Sequence, residues 1–156
     1  MSIPLLLPDA ADAQESGSFR ILQSYVQDFT TIEHAGGTAT AGTLVGTSTI
    51  MESSGPPFAE GETGVAKCLV YVRTPRNGAV VLEAACTVTD GTGDEMYLLA
   101  RRRDGNIAAG GGGAGLFEVL GGTGKFADVS GECPYTTQYH PENHADVSGK
   151  CTWQRP

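Results

Sequence analysis

Leu116-Phe117-Glu118-Val119-Leu120-Gly121-Gly122-Thr123-Gly124-Lys125-Phe126-Ala127-Asp128-Val129-Ser130-Gly131 is the stretch that decides the fold. Phe117 and Val119 fall on one side of an extended segment. Gly121, Gly122 and Gly124 then permit positive φ or a close backbone approach, before Phe126 and Val129 restore apolar character. The pattern reads as strand, glycine corner, strand. Gly121 to Lys125 also has the look of a phosphate cradle. A P-loop, however, needs G-x-x-x-x-G-K-[ST] opening a helix, and here Phe126 follows Lys125, so nucleotide binding is not expected.

Outward from that corner the same texture continues. The chain has 156 residues and 22 glycines, with abundant Thr and Val and repeated turn signals, which leave little room for helix. Strands are expected near 18–33, 42–52, 64–74, 79–89, 94–103, 114–121, 126–138 and 146–154. Eight is the number that closes a barrel wide enough for one ligand. The expected fold is therefore all-β, an eight-stranded antiparallel up-and-down barrel with an apolar lumen, forming a single domain over residues 18–156. Residues 1–17 lack periodicity and are expected to be an arm, flexible or packed on a neighbouring subunit.

Two hairpins can be registered from sequence. Pro75-Arg76-Asn77-Gly78 is a strong turn signal, because Asn-Gly accepts positive φ. A three-residue loop there sets Cys68 opposite Cys86 and Tyr71 opposite Glu83, whereas a two-residue loop shifts the register by one and still brings the cysteines close. Alternation then puts Cys68, Val70, Val72, Val80, Leu82, Ala84 and Cys86 on an interior face, with Tyr71, Arg73 and Glu83 on the other, toward solvent or a subunit contact. Asp128-Val129-Ser130-Gly131-Glu132-Cys133 recurs as Asp146-Val147-Ser148-Gly149-Lys150-Cys151, with His140 to His144 as the turn between, so Cys133 and Cys151 also meet. Cross-strand disulfides are geometrically possible, but Met1 to Pro8 has no basic region and a proline-broken apolar run. A soluble, cytoplasmic protein with no membrane partner and buried free thiols is the expectation.

The net charge of −8 argues against a nucleic-acid partner. Arg101-Arg102-Arg103 reads as a solvated strand end before the Asp104-Gly105-Asn106 turn, with an anion contact as the alternative. No metal site is expected. The cysteines lack the C-x₂-C spacing of zinc sites, and His140, Glu142 and His144 read as a solvated loop.

Several pieces of the chain resemble the allene oxide cyclase and dirigent barrel superfamily. Gly121-Gly122-Thr123-Gly124-Lys125-Phe126 matches its glycine corner, and Ser24-Tyr25-Val26-Gln27-Asp28-Phe29 is similar to the dirigent segment whose aspartate lines the pocket. Lys67-Cys68-Leu69-Val70-Tyr71-Val72 is similar to the cyclase strand that presents a cysteine to the cavity, and Glu83-Ala84 matches the opening of the next one. Two positions depart from the pattern: the dirigent arginine after the corner falls near Ser130, and the cyclase glutamate of the first strand near Val26. The resemblance implies a barrel with an apolar lumen, often trimeric, needing no cofactor.

If Leu22, Ser24, Val26 and Asp28 form the lumen face of the first strand, Asp28 is a carboxylate in an apolar tube, a general acid or base able to act near neutrality. The alternative is a hydrogen-bonded aspartate at the barrel rim. Asp28 is thus the catalytic candidate, and Ser24, Val26, Cys68, Val70, Leu82, Cys86, Tyr97 and Tyr135 are the substrate-binding candidates. The tyrosines qualify because a phenol lines an apolar wall while offering a hydrogen bond. The expected function is a cofactor-independent isomerase or cyclase acting on a hydrophobic small molecule such as a polyketide, terpenoid or fatty-acid derivative. The expected assembly is a homo-oligomer, dimer or trimer. A lipocalin-like binding protein and a structural subunit are the rival readings.

Overall fold

Alternation of apolar and polar residues builds a closed wall. The computed structural model describes residues 15–156. Its strands are β1 (Glu15–His34), β2 (Gly37–Ser53), β3 (Thr63–Thr74), β4 (Val81–Asp90), β5 (Glu95–Arg102), β6 (Gly112–Gly122), β7 (Ser130–His140) and β8 (His144–Arg155). They pair antiparallel in sequence order, and β8 returns to β1, closing an up-and-down barrel. The expected arm lies outside the described residues except for its last three, Glu15 to Gly17, which already belong to β1.

The register across β3 and β4 matches the expectation: Cys68 faces Cys86 and Tyr71 faces Glu83. Val70, Val72, Val80, Leu82 and Ala84 point inward and are buried. The glycine corner differs in one respect, because Gly124–Phe126 forms a 3₁₀ turn instead of resuming the strand. That turn swings Phe126 inward, where it is 5% exposed.

All four cysteines are paired, a correction to the free thiols expected from sequence. Cys68–Cys86 and Cys133–Cys151 are disulfides, each joining residues directly opposite on neighbouring strands with Cα atoms 4.1 Å and 4.0 Å apart. The separation of 18 residues in each pair is what sets the two sulfurs opposite one another.

One end of the barrel is closed by aromatic rings. Phe58, from the loop between β2 and β3, stacks on Phe19 with centroids 3.8 Å apart and packs against Phe126 and Trp153 at 5.6 Å and 5.8 Å. Over this plug Lys125 pairs with Glu62 and, at 2.7 Å, with Asp90. Asp90 Oδ1 also accepts hydrogen bonds from Thr92 N, Thr92 Oγ1 and Asp94 N. Burial disfavours the Asp90 carboxylate, but Lys125 and the Thr92 and Asp94 donors outweigh it and hold its pKa well below the usual range.

Beyond the other end, β1 and β2 run on together. The pairing of β1 with β8 stops at Val26 and His144, whereas its pairing with β2 continues to His34 and Gly37. Ala35 and Gly36, both at positive φ, turn this hairpin.

Candidate functional site

The end opposite the plug contains a cavity of ≈ 30 Å³ lined by aliphatic side chains, three tyrosines and one arginine. The arginine is dictated by strand parity. On β5, Met96, Leu98, Ala100 and Arg102 share the inner face, and all are buried. Arg102 is 1% exposed, so the middle residue of the arginine triplet is not the solvated strand end expected from sequence. Arg101 does stand outside, 3.7 Å from both Glu83 and Glu118.

Space for the guanidinium comes from β6. Gly113 and Gly115 lie on the inner face, four and two residues before Phe117. A Cβ at Gly113 would stand 2.8 Å from Arg102 Nη1, and one at Gly115 would stand 2.5 Å from the Tyr135 ring and hydroxyl. Any side chain at either position would displace the polar cluster.

Neutral oxygens hold the cation. Nη1 donates to the carbonyls of Asp104 (2.6 Å) and Asn106 (3.3 Å), and Nη2 donates to the Asn106 carbonyl (3.4 Å) and the Tyr139 hydroxyl (3.1 Å). The Nε–H is buried without a partner. Among the described residues no carboxylate lies within the 4.0 Å of an ion pair. A buried charge with no opposite charge is expensive, and native proteins avoid it unless the charge has work to do.

Three phenols complete the site. The Tyr135 ring packs on Phe117 at 4.3 Å, and Tyr139 sits 5.7 Å from the guanidinium carbon. The Tyr25 hydroxyl lies 3.6 Å from Cys68 Sγ, which as a disulfide sulfur is the acceptor. Burial pushes the Tyr135 pKa up to about 12 despite the opposing charge of Arg102. It also raises Tyr139, against the same charge, and Tyr25, with a further contribution from Tyr135. All three are therefore neutral hydrogen-bond donors near pH 7, and the cavity keeps one positive charge.

Of the residues expected to form the site, Cys68, Val70, Leu82, Cys86 and Tyr135 stand together on the cavity wall. Ser24, Val26 and Asp28 do not: β1 is turned by one residue, so that Phe19, Ile21, Gln23 and Tyr25 face inward and Ser24, Val26 and Asp28 are exposed. Arg20 and Asp28 share the outer face, and a face carrying two charges is the one that stays in water. Ser24 Oγ donates instead to Asp146 Oδ1 (2.8 Å), whose Oδ2 meets His140 Nε2 at 3.0 Å on the outer surface. Tyr97 is also outside, donating to Glu95 Oε2 at 2.8 Å.

Sequence reasoning missed Arg102 and Tyr139. Parity from Met96 would have found the first, and parity from Tyr135 the second. The cavity is also far smaller than the several hundred Å³ of a preformed ligand pocket, so most of the lumen is side chain. Compared with known proteins, the chain matches no protein-family model, and no curated protein is significantly similar to it.

Proposed function

We propose that the barrel is a small-molecule-binding protein whose site is the Arg102 end of the lumen, the reading that sequence analysis held as the alternative to catalysis. The observation that carries it is a contrast within the interior: the ≈ 20 Å³ cavity beside the aromatic plug has its carboxylates matched to Lys125, while the ≈ 30 Å³ cavity at the other end sets a guanidinium and three phenols in a largely apolar wall. Convergent polar groups in an apolar recess are what orient a bound molecule.

The isomerase or cyclase reading has less support. Asp28, its proton handler, is outside, and among the described residues the cavity wall holds no carboxylate or imidazole. Catalysis here would rest on Arg102, Tyr135 and Tyr139 as hydrogen-bond donors to a developing oxyanion. The resemblance to cyclase and dirigent barrels supports a lumen site of either kind. Two disulfides favour an oxidising compartment over the cytoplasm first expected. The outer face of β3, with Leu69 70% and Tyr71 52% exposed, supports a homo-oligomer, which sedimentation would measure.

Denaturing extraction of the purified protein with small-molecule analysis, combined with NMR of the Tyr25, Tyr135 and Tyr139 rings during a fragment titration, tests the binding reading. A retained molecule, or fragments that shift these three rings, supports it. A clean extract together with unmoved rings overturns it. A molecule released in altered form would restore the catalytic reading.

A further inference from the structure

We infer that the Arg102 end of the barrel is a carboxylate site, taking an amphiphilic monoacid whose head group meets the guanidinium and whose hydrocarbon part lies along the aliphatic wall. This deepens the binding reading above and rests on it.

Charge is the first argument. Arg102 is buried and no carboxylate of the described residues pairs with it, while its oxygen partners are backbone carbonyls and phenols. The three phenols around it supply no negative charge near neutrality. A ligand carrying one negative charge is therefore the partner that brings the site to neutrality, and in a low-dielectric recess that match is worth more than at a surface.

Donor geometry is the second. The Nε–H has no acceptor. Tyr139 accepts from Nη2 through its oxygen, which leaves its own proton to donate. The site thus presents donors to a ligand that supplies acceptors, and charge-assisted bonds to a carboxylate are the strong form of that pairing.

Wall chemistry selects among anions. Val70, Leu82, Phe117 and Val147 on the same wall suit a hydrocarbon and offer nothing to a second charge.

The test is NMR titration of the full chain at constant ionic strength and pH 7, following the Arg102 Nε–H resonance. The probes are butyrate and octanoate, their uncharged amides, and inorganic phosphate. The acids are expected to shift the Nε–H and slow its exchange, binding at least about tenfold more tightly than the matching amides, in line with one charge-assisted hydrogen bond. Arg102→Met should lose that preference. Should that variant fail to fold, the wild-type Nε–H and Tyr139→Phe decide, the latter expected to bind the acids severalfold more weakly and the amides unchanged. Acids and amides binding alike would overturn the carboxylate site and leave the binding reading standing. Phosphate preferred over the acids, or acid binding undiminished in Arg102→Met, would also overturn it. Silence of every cavity resonance toward every probe would remove both.

Discussion

Each end of the barrel holds a cation, and the two are treated in opposite ways. At the sealed end Lys125 lies between Glu62 and Asp90, and the Asp90 carboxylate, 5% exposed, is itself fixed by three further hydrogen-bond donations. At the cavity end Arg102 is more deeply buried, and its partners among the described residues are neutral oxygens. A matched charge fastens loops together. An unmatched one leaves the fold with an obligation that a ligand can meet. The same closed sheet therefore carries one end built for rigidity and one built for recognition.

The comparison breaks most visibly at the plug. Phe58→Ala should cost about 3–5 kcal/mol, as removal of a fully buried ring does, read as a fall in the urea midpoint with unchanged slope. Lys125→Met should follow at about 2–3 kcal/mol, less than for a fully buried pair because the Lys125 side chain is 30% exposed.

The acid limb of stability sharpens the same contrast. Because the folded pKa of Asp90 is depressed, its contribution is complete above the unfolded value of about 4 and drains away as pH falls below that. Midpoints measured between pH 5 and pH 2 should therefore decline in the wild type and flatten in Lys125→Met. In alkali the sign reverses. The Tyr135 phenol, held to about 12, binds its proton when the unfolded phenol has released it. Stability should thus fall above roughly pH 10, by about 2–3 kcal/mol from this group at pH 12. Absorbance at 295 nm would show the lumen phenols ionising only as the barrel opens.

Arg102→Met should change stability by only about 1 kcal/mol in either direction, since the lost hydrogen bonds are offset by relief of an unpaired buried charge. A loss as large as that of Lys125→Met would show Arg102 to be a fastener as well. The smallest effect lies in the hairpin that runs on beyond the cavity end. Ala35→Gly, at φ 49° in the β1–β2 turn, should stabilise by about 0.5–1 kcal/mol, measured by thermal melting.

Much of the wall was legible in the sequence because strand parity has only two answers and several strands give the same one. The β3–β4 hairpin has Cys68, Val70 and Val72 facing Leu82, Ala84 and Cys86 with charges on the other side, so its orientation followed directly. β1 is less decisive, having apolar residues on both faces and a polar residue at the centre of each, Gln23 and Ser24. Its choice turns on burial of the Phe19 and Tyr25 rings and exclusion of Arg20 and Asp28. Arg102 was hidden by a general rule, that arginines are exposed, which here yields to the parity of its strand. Gly113 and Gly115 were the overlooked sign: small residues on an inner face mean that something large arrives from across the lumen. Loop contacts such as Phe58 on Phe19 depend on tertiary placement that no local pattern specifies.

Trp153 is the sole tryptophan of the chain and belongs to the plug, while three of the five tyrosines line the opposite end. The molecule is consequently labelled by nature at both poles with different chromophores. Indole emission reports the sealed end, and the ring resonances of Tyr25, Tyr135 and Tyr139 report the cavity, so a single sample shows whether a perturbation travels along the barrel or stops where it enters.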